Sequence, residues 1–164
     1  LNSWKRGLTG QPIVDAGMRE MYVTGRMHNR VRMIVASYLT KHLLIDWRHG
    51  LKWFEDCLID WDPASNAMGW QWVAGSGPDA SPFFRVFNPE LQAKKFDPEG
   101  KYQMKYLGLN FKPTPESDKF CKMSPKSWNI DKGKRPSESI VDLKVGRDRA
   151  LNSYSKFKNI IVDK

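Results

Sequence analysis

The residues best suited to bind a ligand fall in three short stretches of the sequence. The first carries four residues at helical spacing, namely Asn29, Arg32, Met33 and Ala36. Residues three and four positions apart are neighbours on a helix, so these side chains would share one face. An amide, a guanidinium and a thioether side by side suit a planar polar ring, whereas Arg30 projects elsewhere and could reach a phosphate. A solvated basic helix surface is the alternative interpretation.

The second stretch places two carboxylates, Asp60 and Asp62, two residues apart in front of a proline. Capping of a helix that begins at Pro63 accounts for Asp62, because an aspartate accepts hydrogen bonds from the first free N–H groups. It does not account for Asp60. That carboxylate could accept an N–H or O–H group from a ligand, or pair with Arg32. No other metal-ligating residue stands nearby in the sequence, so a metal site is not predicted.

The third stretch combines an amide, a glycine and two indoles within seven residues. Asn66 and Trp70 are four positions apart and would share a helix face, while Trp72 projects the other way. Gly69 in the middle of a helix costs about 1 kcal/mol relative to alanine, so its presence needs a reason. Close approach of a flat ligand or of another backbone is one such reason. Simple core packing is the alternative explanation for the indoles.

The sequence carries no pattern typical of hydrolytic or zinc chemistry. Its three histidines have no serine or cysteine partner at a catalytic spacing, and it has no phosphate-binding loop motif. Cys57 and Cys121 stand far apart, which favours a reduced, cytoplasmic protein over a disulfide framework. The sequence shows no apolar run long enough to cross a membrane and no signal peptide. Because the chain starts at Leu1 rather than Met, we expect the natural N-terminus to lie further upstream.

The charge balance favours an anionic partner. The chain has 27 Lys and Arg against 18 Asp and Glu, a formal net charge of +9. Such a balance suits nucleic acid, a membrane surface or a phosphorylated ligand. Residues 111–164 hold 13 basic and 7 acidic side chains, so 13 − 7 = +6 of that charge lies in the last third. Solvated surface charge is the alternative to contact with a DNA backbone.

Helical periodicity dominates residues 1–110 and predicts an all-α fold. Cap, proline and glycine signals place helices, in chain order, at Pro12–Gly25, Asn29–Leu44, around Trp53–Leu58, at Asp62–Gly75 and at Asp97–Tyr106. No convincing alternation of apolar and polar residues indicates a strand.

The last third of the chain has a different texture. Residues 111–139 are rich in Pro, Ser and Lys and are predicted to form an extended or loosely packed connection. A final helix follows, with an apolar face made of Leu143, Ala150, Leu151, Tyr154 and Phe157. We expect 1–110 to be part of a helical domain and 111–164 to be a basic linker and C-terminal helix of the same domain. Apolar surface should be exposed where further helices would dock.

Taken in order, the motifs of this chain resemble those of the photolyase/cryptochrome family. The matching segments are Thr9–Arg19, Met27–Met33, Leu44–Arg48, Asp60–Asp62, Asn66–Trp72, Phe84–Pro89, Lys95–Gly100, Ile140–Lys144 and Arg149–Leu151 with Tyr154. They cover nearly the whole chain and are specific in order and spacing. The resemblance corresponds to about the last third of a typical member and implies part of an all-α, FAD-binding domain.

The resemblance also implies a cofactor, FAD, which is active in its reduced form. The positions that match flavin contacts are Asn29, Arg32, Asp60 and Asp62, with Arg32 pairing Asp60, and Asn66 would face the reactive flavin nitrogen. Trp70 and Trp47 match the proximal and middle members of a tryptophan chain that carries electrons to the flavin. The loop that clasps the phosphates, the third tryptophan and the domain for a second, antenna chromophore would lie upstream.

The implied substrate is DNA that contains pyrimidine dimers. Positions that touch the lesion or the DNA backbone are matched by Arg30, Met33, Trp72 and Arg85. Within the family, Asn66, Met33 and Trp72 together resemble class I cyclobutane pyrimidine dimer photolyases, which split a flipped-out dimer by light-driven electron transfer. A monomer acting at the nucleoid of a bacterial cytoplasm is the implied setting. A cryptochrome-like blue-light receptor and a flavin-free nucleic-acid-binding module are the alternatives.

Overall fold

The elements of the fold are helices joined by short turns. The computed structural model describes residues 1–83, 85–108, 112–130, 136 and 138–162, and side chains among them as far as residue 159. The helices are α1 (Asn2–Lys5), α2 (Pro12–Thr24), α3 (Asn29–Ser37), α4 (Trp47–Cys57), α5 (Pro63–Ala74), α6 (Pro89–Phe96), α7 (Lys101–Leu107), α8 (Pro115–Met123) and α9 (Leu143–Val162). A π-helical turn (Tyr38–His42) extends α3, and a 3₁₀ turn spans Lys126–Trp128. The described residues contain no strand, which confirms the all-α prediction.

The end of α2 and both ends of α5 follow the capping signals of the sequence. Asp62 caps α5 by accepting from the Ser65 backbone N–H at 2.6 Å, and Pro63 occupies its first turn. Gly25 ends α2 and Gly75 ends α5, both with left-handed backbone (φ 69° and 81°). These short-range signals fix where the two helices begin and end.

The predicted helix start at Asp97 is wrong. Asp97 instead terminates α6, a helix that the sequence analysis missed although Asn88 and Pro89 carry the same cap-and-proline signal. After a turn through Gly100 (φ 67°), α7 begins at Lys101. The Asp97 carboxylate still caps that helix, because it accepts from the backbone N–H groups of Tyr102 and Gln103 at 3.0 Å each. The sequence therefore predicted correctly that Asp97 caps a helix, but it did not predict that the helix begins four residues later, at Lys101.

The prediction of a loose connection over 111–139 is wrong for its central part. There Thr114 caps α8: its hydroxyl accepts from the Ser117 backbone N–H, while the Ser117 hydroxyl accepts from the Thr114 backbone N–H. Phe120 of α8 is 1% exposed and meets Tyr22 of α2 edge-to-face at 5.8 Å between ring centroids. Serine in place of the usual glutamate hid this capping box from the sequence analysis. Residues 111, 131–135 and 137 of the predicted connection lie outside the described part.

The core is centred on Trp4, Phe54 and Trp70. The Trp4 ring stacks on Phe54 at 6.3 Å and meets Trp70 edge-to-face at 6.1 Å, and Phe54 meets Trp70 at 4.9 Å. The Trp4 indole N–H donates to the Val35 carbonyl at 3.0 Å, which ties α1 to α3. All three rings are at most 3% exposed. The core therefore fixes Trp70, and with it α5, against α3 and α4.

The π-helical turn is the element against which α9 packs. It contains Lys41 and His42, both buried, and ends two residues before Leu44, whose backbone is left-handed (φ 50°). α9 packs on this turn: a Cβ on Gly146 would lie 3.2 Å from His42, and the Arg149 guanidinium donates to the His42 carbonyl. The absence of a side chain on Gly146 permits this close crossing.

The apolar face predicted for α9 is only partly covered. Ala150 is fully buried, but Phe157 is 59% exposed, so the prediction fails at that end of the face. The exposed Phe157 ring agrees with the separate expectation that the chain exposes some apolar surface. In the described part of the chain, no helix is both long enough and apolar enough to span a membrane.

Acid should destabilise the protein through His42. Burial, followed by the nearby Arg149 charge, lowers the pKa of His42 to about 4, from the ordinary value of about 6.5. The unfolded chain therefore takes up this proton at a higher pH than the folded chain. The free energy of unfolding falls as the pH drops from 6.5 towards 4, by about 2 kcal/mol between pH 7 and pH 5. A His42→Phe variant should lack this component in urea titrations at the two pH values.

A matched control for this experiment is His49→Phe, because His49 is exposed on α4. It should keep the pH dependence of the parent protein. If His42→Phe also kept it in full, the acid sensitivity would have to arise elsewhere.

Candidate functional site

A cleft opens between α3 and α5. It encloses about 180 Å³ and is lined by Asn29, Arg32, Met33, Ala36, Phe54, Ser65, Asn66, Gly69, Trp70 and Val73. The helical face predicted on α3 and the Asn66/Trp70 face predicted on α5 thus lie opposite each other. Ligand sites usually measure roughly 300–1,000 Å³, so this cleft is smaller than a typical site. Phe54 and Val73 make its floor apolar, and the polar groups lie towards its mouth.

The expected pair between Arg32 and Asp60 is present. The Arg32 Nη2 lies 2.8 Å from Oδ2 and 3.0 Å from Oδ1 of Asp60, and Nε donates to the Met27 carbonyl at 2.7 Å. Nη1 has no partner among the described residues. Asp60 is 57% exposed, and a surface pair of this kind stabilises a fold by about 0–1 kcal/mol. The pair therefore serves to orient the guanidinium more than to stabilise the fold.

Asp62 and Asn66 are coupled at the start of α5. The Ser65 backbone N–H holds the pKa of the Asp62 carboxyl below its usual range. The Asn66 side-chain amide donates to the Asp62 carbonyl at 3.0 Å, which fixes Asn66 at the cleft. Neither Asp60 nor Asp62 is among the residues that line the cleft, although each contacts one that does.

Gly69 has no structural need to be glycine. A Cβ built on it would meet no atom within 4 Å, so no neighbouring backbone demands the missing side chain. Yet it lines the cleft in mid-helix, next to Trp70, whose buried indole N–H has no partner among the described residues. Of the two explanations offered by the sequence, close approach of another backbone is excluded within the described chain. A flat ligand lying on α5 remains, and these residues fit one.

Trp72 lies on the other side of α5, as predicted. It lines a second hollow, of about 240 Å³, with Met68, Gly69, Gln71, Ser76, Pro78 and Asp79. The Arg85 guanidinium lies 5.9 Å from the Trp72 ring centroid. Arg30 also lies outside the cleft and stacks over Phe96 at 4.8 Å. Of the four residues expected at the lesion or DNA, only Met33 lines the cleft itself. Phe84, which belongs to the same motif as Arg85, lies outside the described residues.

The sequence predicted the positions of two tryptophans in or near the cleft and missed a third. Trp70 lines the cleft as expected, and Trp47 packs against the same core at the start of α4, with Arg48 5.2 Å from its ring centroid. Trp4 was missed, although it is fully buried and touches Trp70. No periodic pattern surrounds Trp4 in the sequence, so only its three-dimensional contacts give its place.

Lys41 is a second residue whose role was not predicted from the sequence. Its side chain is fully buried beneath the end of α5 and donates to the Ala74 carbonyl at 2.9 Å and the Phe83 carbonyl at 3.3 Å. Burial lowers the pKa of Lys41 to about 8. The ammonium ties the loop after α5, which forms part of the Trp72 hollow, to the π-helical turn. Among the described residues, no three His, Cys, Asp or Glu side chains are grouped as a metal site would require.

Comparison with known proteins places this chain in a family. The family model for the FAD binding domain of DNA photolyase matches residues 1–156. The deoxyribodipyrimidine photo-lyase of Agrobacterium fabrum is 54% identical over 160 residues, which are 95% of this chain and 33% of that protein. The chain therefore spans about a third of the length of the curated relatives it matches.

Solved structures show the same likeness. A bacterial class III photolyase from Agrobacterium tumefaciens superposes with a TM-score of 0.77 at 52% identity, over 96% of this chain and 33% of that one. A cryptochrome from Synechocystis superposes with a TM-score of 0.72 at 39% identity, over 92% and 32%. Since the family model spans nearly the whole sequence and the all-α fold agrees, this chain belongs to the DNA photolyase family and carries its FAD-binding domain fold.

Proposed function

We propose that the chain is the flavin-holding and lesion-facing part of a light-driven lyase that splits cyclobutane pyrimidine dimers in DNA. The observation that carries this proposal is the cleft, where Gly69 leaves the backbone of α5 uncovered beside polar groups. A flat ring system can lie against a glycine while its polar edge meets amide and guanidinium groups. Reduced FAD, when bound, would supply the light-driven electron that opens the dimer.

The cleft residues would hold the ring system by its edge. Arg32 is oriented by Asp60 and by the Met27 carbonyl, which leaves Nη1 to donate to a ligand. Asn29 and Asn66 would add amide donors and acceptors on either side, with Asn66 held by the Asp62 backbone next to the reactive nitrogen. A site of this kind is preorganised, because its polar groups do not have to reorient when the ligand arrives.

Two indoles would carry electrons into the cleft. Trp70 lines it directly and would be the proximal donor, while Trp47 packs on the same core and would refill Trp70. Phe54 and Trp4 exclude water from the buried side of Trp70. A ring fixed on that side keeps a constant distance to its acceptor.

The lesion would enter from the open side of the cleft. Met33 would touch the extruded dimer as a soft apolar contact, and Trp72 and Arg85 would form a stacking and charged wall beside it. Arg30 would bind a backbone phosphate. Flipping a dimer costs less than flipping a paired base, because the lesion already stacks poorly. The net charge of +9 suits such a substrate.

The same scaffold supports a second function. The likeness to the Synechocystis cryptochrome keeps a blue-light receptor as the alternative. We favour the lyase because Asn66, Met33 and Trp72 form the combination that resembles dimer-repair enzymes. We further propose that the whole protein binds an antenna chromophore outside this chain and acts as a monomer on cytoplasmic DNA.

The decisive experiment uses the full-length protein of which this chain is part. Incubated with FAD, a reductant and an oligonucleotide that contains one thymine dimer, it should restore the two thymines under blue light and not in the dark. Chromatography of the oligonucleotide reads out the repair. Flavin binding without repair in light would favour the receptor instead, and DNA binding without flavin absorbance would favour a flavin-free module.

A site variant ties that activity to the cleft. Arg32→Gln should weaken FAD binding by at least about tenfold, since a charge-assisted donor to the ligand is worth about 1.5–3 kcal/mol. The matched control is Arg48→Gln, which also breaks a 2.8 Å pair with an aspartate but lies on the surface away from the cleft. Equal FAD affinity in the two variants, measured by fluorescence titration, would remove Arg32 from the site.

A further inference from the structure

Phe96, the last residue of α6, combines exposure with flanking positive charge. Its ring is 48% exposed, and the Arg30 guanidinium lies 4.8 Å and the Lys95 ammonium 5.4 Å from the ring centroid. Within the described part of the chain, no acidic side chain forms an ion pair with either cation. None of the roles assigned above uses this ring. It presents an aromatic face between two charges that folding leaves uncompensated.

Two contacts relate the segment from Phe87 to Phe96 to the two ends of α3. The Phe87 backbone N–H donates to the Ser37 hydroxyl at 3.1 Å, at the end of α3, and Phe96 meets Arg30 at its start. Seven residues of helix separate these two contacts, about 10 Å along the axis. Arg30 directly follows Asn29, which lines the cleft. The Phe96 ring thus stands beside one end of the cleft.

A second arginine–aromatic pair belongs to the opposite end of the same segment. Arg85 lies over Trp72, two residues before Phe87 contacts the end of α3. One pair thus includes Arg30 at the start of α3, and the other lies two residues from the contact at its end, whereas Met33 of the cleft wall stands between those ends in the sequence. This arrangement, aromatic faces accompanied by guanidinium groups on both sides of a hollow, suits a single strand of nucleic acid that leaves a nucleotide in the hollow.

We propose that Phe96 is a stacking platform for an unpaired base of the DNA, with Arg30 and Lys95 contacting the phosphates next to that base. The proposal rests on the proposed function, since it requires a dimer to be extruded into the cleft. Extrusion leaves two bases of the opposite strand without partners. An exposed aromatic ring stacks on any base because every base has a π-face, and flanking cations neutralise the backbone.

The test measures dark binding of the full-length protein to a duplex with one dimer and 2-aminopurine opposite it. The parent protein should quench the 2-aminopurine fluorescence. Phe96→Ala should bind about tenfold more weakly and leave the fluorescence unquenched, while Phe96→Trp should keep both. Leu91→Ala is the matched control, because it also truncates an exposed apolar side chain of the same helix (60% exposed) but removes no aromatic ring. It should behave like the parent.

A second duplex separates stacking from a general loss of binding. With abasic sites opposite the dimer, the parent and Phe96→Ala should bind with equal affinity, because no base is left to stack. An unchanged affinity of Phe96→Ala for the first duplex, or an equal loss on both duplexes, overturns the platform. Failure of the proposed function shows separately, as absent repair in light or absent preference for dimer-containing over undamaged DNA by the parent.

Discussion

Replacing Gly50 by alanine should destabilise the protein by about 2–3 kcal/mol and displace Trp70 from the cleft. A Cβ at Gly50 would lie 2.1 Å from Cη2 and 2.6 Å from Cζ3 of Trp70, and 2.7 Å from Cδ2 of Leu39. The indole can move only by disturbing its contacts with Phe54 and Trp4, which makes the displacement costly. Overpacking of this severity costs about 3 kcal/mol or more, which outweighs the roughly 1 kcal/mol that alanine gains in a helix.

The measurements are thermal melting and, in the full-length protein, the rate at which light bleaches bound oxidised flavin. Gly50→Ala should melt earlier and photoreduce its flavin more slowly, because Trp70 is the proposed proximal donor. Gly69→Ala is the matched control, since it makes the same change in a helix where a Cβ meets nothing within 4 Å. It should raise the melting temperature and weaken FAD binding. An unshifted melting temperature in Gly50→Ala would show that the core between α4 and α5 yields more easily than its contacts indicate.

Local signals in the sequence predicted those parts of the fold that depend on local interactions. Asp62, Pro63 and Gly75 each act within one helix turn, and α5 begins and ends where they indicated. The face shared by Asn29 and Arg32 was predictable because helical spacing alone determines it. One wall of the site therefore follows from residue spacing alone.

Contacts between distant residues set the remainder. Nothing near Trp4 in the sequence indicates that its ring packs on Trp70, 66 residues away. The need for glycine at position 50 likewise arises from contacts with distant residues, namely Trp70 and Leu39. The helix α8 was missed because its capping box is built from two hydroxyl side chains and its apolar anchor is a single residue, Phe120. A weak local signal of this kind is decided by the tertiary contact, not by propensity.

Lys41→Met should destabilise the protein by about 3 kcal/mol and loosen the loop that ends at Phe83. The ammonium lies 3.2 Å from the Phe83 ring centroid and donates to the carbonyls of Ala74 and Phe83. Methionine fills a similar volume but leaves both acceptors without a donor, at about 1–3 kcal/mol for each buried group. Phe83 stacks in turn on Tyr154 at 4.5 Å, so Lys41 indirectly anchors α9 as well.

The pH dependence of stability gives this prediction its sharpest test. Because the pKa of Lys41 is about 8 in the folded protein, against an ordinary value of about 10.5, the unfolded chain binds more protons between these limits. The contribution of Lys41 to the free energy of unfolding therefore rises with pH, by about 1.4 kcal/mol per pH unit at most. The difference between parent and Lys41→Met in urea titrations should grow from pH 8 to pH 10. The matched control is Lys52→Met, which removes an exposed lysine paired with Glu55 and Asp56 and should leave the free energy of unfolding nearly unchanged at both pH values. If the loss of stability in Lys41→Met did not change with pH, the buried amine would keep its proton over the whole range. The lowered pKa would then be contradicted.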